Sequence, residues 1–434
     1  MKKLPLLIII SVMLIQCCGL RQCSEMLPHL PHFQDDPGDI TINTPEESSP
    51  TPTATRIPDQ IGSPTPKPIP NVTFTPTLTT TISQTSARTI SEVFMVTALE
   101  GWALAGLDWE GSQLLRTEDG GENWQPVFIM PENLTTAGAT TFAGSFPDSL
   151  TAWLTPYGED FVPADTVVFY TSDGGASWET SQPFPTYGAG EFYKVFITAL
   201  DKHQAWLFTQ ITVLGTGANH SQRLFHTDDG GEYWEETVLI LYDINGMEFL
   251  NENIGILASE LEGAYQPPLP ALTYLTNDGG KTWEENELPI PPASSSVSFN
   301  HCRSKFPKLF TVSAGSLMVT CFDDWSESVS HSFFHSSDNG GASWNTHELP
   351  ATRSVWMFDQ NSGWTYGPGM ELYQTTDGGG TWNRFDLNFS GEIRSISFSD
   401  EKHGWLTVKM DSNDTSLFRT VDGGSTWEAV DWDK

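Results

Sequence analysis

Residues 417–427 read L-F-R-T-V-D-G-G-S-T-W, and the same pattern is written seven times along the chain. The copies end in Trp124, Trp178, Trp234, Trp283, Trp344, Trp382 and Trp427; each has Ser or Thr seven residues before the Trp and Gly three before it. Six carry Asp five residues before the Trp: Asp119, Asp173, Asp229, Asp278, Asp377 and Asp422. In the remaining copy, S-D-N-G-G-A-S-W from Ser337, Asn339 stands there instead. An Asn still accepts hydrogen bonds.

This spacing is that of a tight turn between two strands. Apolar residues such as Leu417 and Phe418 lead in as strand. A short Asp or Asn side chain accepts bonds from turn N–H groups, and the Gly pair supplies the positive φ. The Trp that follows is a large apolar plug able to lock the turn onto neighbouring sheet. One such stretch is a weak signal; seven in register define a repeat architecture.

The motif resembles the Asp box, or bacterial neuraminidase repeat, of sialidases, xyloglucan-degrading hydrolases, sortilin-type receptors and the photosystem II assembly and stability factor family. That resemblance implies an all-β chain folded as a seven-bladed β-propeller. It also implies that each box lies on the turn between the third and fourth strands of a blade, on the face away from the ligand. The box residues are thus expected to be structural and not catalytic.

Residues 91–434 divided among seven boxes give roughly 49 per unit, the length of a four-stranded blade. In the last unit the strands are expected at 393–398, 405–409, 416–420 and 426–430. A second periodic mark supports the register: Trp102, Trp153, Trp206, Trp364 and Trp405 each open the second strand of a unit, and Ile256 and Leu317 stand near that place in units four and five. Recurrence once per repeat points to packing between blades. The ring closes either by packing blade seven on blade one or by strand exchange with residues just before Ser91.

Towards the N-terminus, Lys2 and Lys3 precede an apolar run at 4–15, of signal-peptide length and too short for a stable membrane span. Residues 1–17 resemble a lipoprotein signal with Cys17 as the lipidated residue, although Gln16 departs from the small residue expected there and Cys18 and Cys23 compete. The chain is expected to be an envelope lipoprotein held to the membrane by this N-terminal lipid, the alternative being simple secretion. Residues 18–90 are rich in Pro, Thr and Ser with little apolar periodicity, the composition of a disordered spacer.

The repeat region, 91–434, holds 48 Asp and Glu against 15 Lys and Arg. Nucleic acid is excluded as a partner, because phosphate contact needs clustered cations. Such acidity favours solubility, and a monomer is expected. Cys302 and Cys321, the two cysteines of the repeat region, pair as a disulfide outside the cytoplasm or remain buried thiols. No metal-ligand spacing, phosphate loop or Ser/His/Asp order stands out, so no cofactor or metal is expected.

In a propeller the ligand-facing loops join the second strand to the third and the fourth to the next first. The stretches 157–166, 211–222, 261–271 and 322–331 are long and vary between units. The ligand-facing connections carry Trp109, Glu110, Glu159, Asp160, Tyr265, Asp323, Asp324, Trp325 and Glu327, aromatics beside acids suited to sugars, peptides or Ca²⁺. A sialidase needs three convergent arginines, and the repeat region holds seven, of which Arg116 and Arg419 directly precede box threonines. Glycoside hydrolysis needs two opposed carboxylates about 5.5 Å or 6.5–9.5 Å apart. Acids here are plentiful enough to keep that reading open.

Arg353 and Arg394 each lie eleven residues before a second-strand Trp, Trp364 and Trp405, which gives them equivalent first-strand positions in adjacent blades near the channel mouth. The pattern F-x-D/N, G-W, then the box, as in Phe398, Asp400, Gly404 and Trp405, resembles the assembly-factor family most. Its members are non-enzymatic and thought to hold a protein through an arginine patch. The expectation is therefore a non-catalytic, tethered scaffold that binds a protein or surface glycan on the face opposite the boxes. Arg353, Arg394, Trp109, Asp323, Asp324 and Trp325 are its candidate partner-binding residues, and a glycan hydrolase using paired loop carboxylates is the alternative.

Overall fold

The computed structural model describes residues 72–74, 89–106, 112–136, 139–158, 165–185, 192–212, 220–239, 241–261, 269–289, 299–327, 330–351, 353–410 and 414–432. The signal stretch with Cys17, most of the spacer, and Trp109, Glu110, Glu159, Asp160 and Tyr265 lie outside the described residues.

The chain is a seven-bladed β-propeller of four-stranded antiparallel blades, each blade using consecutive strands here lettered A to D from the axis outward. Blade 1 is built from Thr89–Met95, Gly101–Gly106, Gln113–Thr117 and Gln125–Ile129. Blade 7 is Glu392–Phe398, Gly404–Lys409, Thr415–Thr420 and Glu428–Val430, within two residues of the boundaries expected from its sequence. Blade 2 carries an additional outer strand, Val72–Phe74, paired with Trp178–Thr180; it lies in the stretch read as spacer.

Each box forms the C-to-D turn. In the last, Thr420 Oγ1 donates to Asp422 Oδ1 at 2.8 Å and accepts the Gly424 N–H at 2.9 Å, while Asp422 Oδ1 also accepts the Thr426 N–H at 2.8 Å. Gly423 and Gly424 have φ of 71° and 87°, a region costly for any residue with a Cβ. Asn339 makes the same turn in blade 5 by accepting from Ser337 Oγ and the Ser343 N–H, both at 3.0 Å. With an amide in place of a carboxylate, its Nδ2 donates to Ser343 Oγ, reversing the bond that Asp receives elsewhere. Hydrogen bonds from the Thr426 hydroxyl and N–H hold the Asp422 carboxyl below its ordinary value, and those from Thr282 do the same for Asp278.

The second-strand tryptophans fill the wedges between blades. Trp102, Trp153, Trp206, Trp364 and Trp405 are fully buried. Trp206 lies flat on Phe249 of blade 4 at 3.9 Å between ring centres, and Trp364 on Phe398 of blade 7 at 3.7 Å. Four of their indole N–H groups reach into the next blade: Trp102 to Asp148 O at 3.0 Å, Trp153 to Asp201 O at 3.1 Å, Trp206 to Gly279 O at 3.0 Å and Trp405 to Gly120 O at 2.9 Å. The last of these closes the ring. With it come Met95 N–H to Ser397 Oγ at 3.0 Å and Thr407 Oγ1 to Ser91 O at 3.2 Å. Blade 7 therefore packs on blade 1 with its own four strands, and no strand is exchanged among the described residues. Cys302 and Cys321 face each other across strands A and B of blade 5 and form a disulfide.

Candidate functional site

Strand A begins and strand B ends on the face opposite the boxes, and there the inner strands present charge to the channel. Arg303 and Lys305 show how the sequence arranges this: in H-C-R-S-K, Cys302 and Ser304 turn into the blade, nearly or wholly buried, so the alternating residues face the axis.

On blades 3 to 5 the groups form one chain of contacts. The Lys194 ammonium pairs with the buried Asp243 and donates to Asn245 Oδ1 at 2.7 Å. Asp243 also accepts from Gln210, whose amide oxygen accepts from Gln222 at 3.0 Å. Asn245 donates to Glu260 Oε1 at 3.2 Å, and Glu260 Oε2 stands 2.9 Å from Arg303 Nε. Arg303 then pairs with Glu327, which stands 3.3 Å from His301 Nε2. The His301 ring lies flat between Phe322 and Trp325, 4.9 Å from each, and Trp325 keeps 57% of its surface exposed. Lys305 belongs to this group by charge alone. No ion pair or hydrogen bond among the described residues holds it, and burial, then Arg303 and Lys194, push its ammonium below the ordinary value against Glu260 and Glu327.

On blades 6 and 7, Arg353 and Arg394 meet on a single carboxylate. Arg353 Nη1 donates to Glu392 Oε1 and, at 3.3 Å, to Ile393 O, while Arg394 Nη2 lies 2.8 Å from Glu392 Oε2. The hydrogen bond from Arg353, then the charges of both arginines, hold Glu392 below the usual carboxylate range. Tyr366 OH donates to Arg394 O at 2.9 Å, fixing the strand that carries it. Glu92 of blade 1 is open to water yet ringed by protein, as a group inside a channel must be, and desolvation raises its carboxyl above the ordinary value. Glu92 also acts on the Tyr366 phenol from across this part of the channel, helping burial to raise it while Arg353 and Arg394 oppose.

The candidate residues thus fall into two clusters. Arg353 and Arg394 converge as their common spacing implies. Asp323, Asp324 and Trp325 form the blade 5 loop: Asp324 accepts from the Ser326 N–H at 2.9 Å, Asp323 stands 3.8 Å from His331, and Trp325 presents its ring. Trp109 is not among the described residues. Sequence reasoning missed Lys194, Asp243, Glu260, His301, Arg303, Lys305, Glu392 and Glu92. The available signal was placement: in so acidic a chain, five of the fifteen cations of the repeat region, Lys194, Arg303, Lys305, Arg353 and Arg394, sit on or beside the beginnings of inner strands. Among the described residues no group of three or more His, Cys, Asp or Glu side chains is arranged to hold a metal ion.

No family model matches the chain, and no curated protein matches it. Among solved structures it is similar to YCF48 bound to D1 peptide, at 19% identity over 81% of this chain and 97% of that one, with a TM-score of 0.46. It is similar to YCF48 from Cyanidioschyzon merolae at 16% identity over 78% and 94%, with a TM-score of 0.45. Its similarity to a xyloglucanase from Xanthomonas campestris is 12% in identity over 84% of this chain and 56% of that one, with a TM-score of 0.48. The class is an Asp-box propeller, defined by the seven blades and seven boxes of this chain. No activity passes with the likeness.

Proposed function

We propose that the chain is a non-catalytic binding propeller, tethered to the cell envelope, that holds an acidic segment of a protein partner in the channel mouth opposite the boxes. The observation that carries this reading is the gathering of five cations from four blades at one mouth of a strongly acidic domain. Screening confines the repulsion of the outer surface to about 8–10 Å, so a segment inside the mouth meets the five cations set among Asp243, Glu260, Glu327, Glu392 and Glu92 and not the excess acidity of the surface. The Arg353–Glu392–Arg394 trio holds two guanidiniums in place before a ligand arrives, which reduces the ordering cost of binding. Arginine is suited to this because its planar fork offers five donors. Trp325, stacked on His301, supplies an apolar rim beside the charges. Cys17 is the proposed lipid attachment site, which Cys17→Ala tests by release of the chain from membranes.

The direct test is fluorescence anisotropy with a set of labelled peptides matched in length and varied in Asp and Glu content. Affinity is expected to rise with acidic content and fall with salt; equal affinity for acidic and neutral peptides overturns the reading. Glycan hydrolysis is a second reading, favoured by one observation: Glu92 is raised and Glu392 held down on neighbouring blades, the division of roles that an acid and its carboxylate partner need. Turnover of a chromogenic glycoside, lost in Glu92→Gln, would establish it in place of the first.

A further inference from the structure

The wedge between blades 4 and 5 differs from its neighbours, and one residue accounts for the difference. Blade 4 places Ile256 where blades 1, 2, 3, 6 and 7 place a buried Trp. Where Trp153 fills the wedge between blades 2 and 3, the space left beside it is about 10 Å³. Beside Ile256 the box-face cavity measures about 370 Å³, in the range of small-molecule sites. Its walls combine Leu275, Leu309 and the box tryptophans Trp283 and Trp344 with polar groups such as Asn277, Glu284 and Thr311. The next wedge, where Leu317 replaces the Trp, opens only about 220 Å³ beside Ser336, Asp338, Asn345 and Asp377, a lining suited to water.

The intact wedges show what chemistry the empty one accepts. In them the group is an indole packed against the neighbouring blade, and in four of the five, Trp102, Trp153, Trp206 and Trp405, its N–H lies on a backbone carbonyl of that blade. For Trp206 and Trp405 that carbonyl belongs to the first box glycine of the next blade, Gly279 and Gly120. The corresponding residue of blade 5 is Gly340, and it lines the cavity.

We propose that this wedge is a binding site for a planar aromatic ligand carrying one N–H donor, of which indole is the simplest member. The ligand takes the place of the missing tryptophan, stacked between the blades with its N–H on Gly340 O. The site lies on the face opposite the channel mouth and is independent of the function proposed above.

The test is calorimetric titration of the full chain with indole, and with indene, which keeps the shape and lacks the N–H. Saturable binding of indole is expected at concentrations below about 5 mM, a weak but measurable affinity. Indene should bind about tenfold less tightly, one lost hydrogen bond. Ile256→Trp should raise Tm and abolish indole binding by filling the site from within. Leu275→Phe, which narrows the cavity from blade 4, should weaken binding at least tenfold and serves if Ile256→Trp does not fold. No saturable indole binding, or binding unchanged in a folded Ile256→Trp or Leu275→Phe variant, overturns the proposal.

Discussion

The two faces of the propeller are built on opposite principles. On the box face the same turn is made seven times, down to which oxygen accepts which N–H, and Asn339 preserves the geometry after losing the charge. On the other face the blades begin differently, apart from the equivalent arginines Arg353 and Arg394 of blades 6 and 7. Lys194, Asn245, Arg303, Arg353, Arg394 and Glu92 lie at or before the middle of their strands and bring cations, an amide and a carboxylate to that face. A feature repeated in every blade answers a need that every blade has, namely to close its outer hairpin and lock it to a neighbour. Only what varies from blade to blade distinguishes one direction in the channel from another, and a ligand needs that distinction.

The sharpest way to break this comparison is to substitute glycines on the two sides of it. A Cβ on Gly379, at φ 86°, would meet Phe334 at 2.2 Å. Left-handed backbone and overpacking together predict that Gly379→Ala costs about 3–5 kcal/mol in a urea titration. Gly369 has φ 75° and nothing within 4 Å, so Gly369→Ala should cost only about 1–2 kcal/mol. Equal losses would mean that the box glycines are not special.

Reduction of the bond between Cys302 and Cys321, nineteen residues apart in sequence, comes next. Cys302→Ala/Cys321→Ala should lose about 3 kcal/mol of stability through a freer unfolded chain. It should leave the boxes unchanged by hydrogen exchange.

Acid separates the faces more gently. Asp278, Asp377 and Asp422 have folded-state values below the ordinary 3.8. Their contribution is therefore fully present above that value and is lost as pH falls through the lower folded one. Asp422→Asn should lower Tm at pH 7 and match the parent at the acid end of the titration, whereas a deficit that persists unchanged there would show that ionisation contributes nothing. The smallest stability effect belongs to the mouth. Arg353→Ala/Arg394→Ala should cost less than about 1 kcal/mol, because the trio with Glu392 is part-exposed and solvent-screened.

The fold was legible because its signals are local. Threonine, aspartate, glycine and tryptophan at fixed spacing encode a turn that needs no distant partner. Trp102, Trp153, Trp206, Trp364 and Trp405 mark the second strand for the same reason. The ring closure was not legible, since it depends on Trp405 reaching Gly120 across 285 residues of sequence. The site was legible in one part, where Arg353 and Arg394 share a spacing to their tryptophans. The rest depends on contacts between blades, such as Asn245 with Glu260 and Arg303 with Glu327, which no spacing in the sequence announces.

The proposed function places recognition at the divergent mouth and not on the repeated face. It is tested most directly by measuring acidic-peptide affinity for three proteins side by side: the parent chain, Arg353→Ala/Arg394→Ala, and the charge-matched Arg116→Ala/Arg419→Ala of the box face. At least a tenfold loss is expected in the first pair and less than a twofold change in the second, on the scale of one to two charge-assisted hydrogen bonds. Equal losses in both, or loss only in the box-face pair, would contradict it.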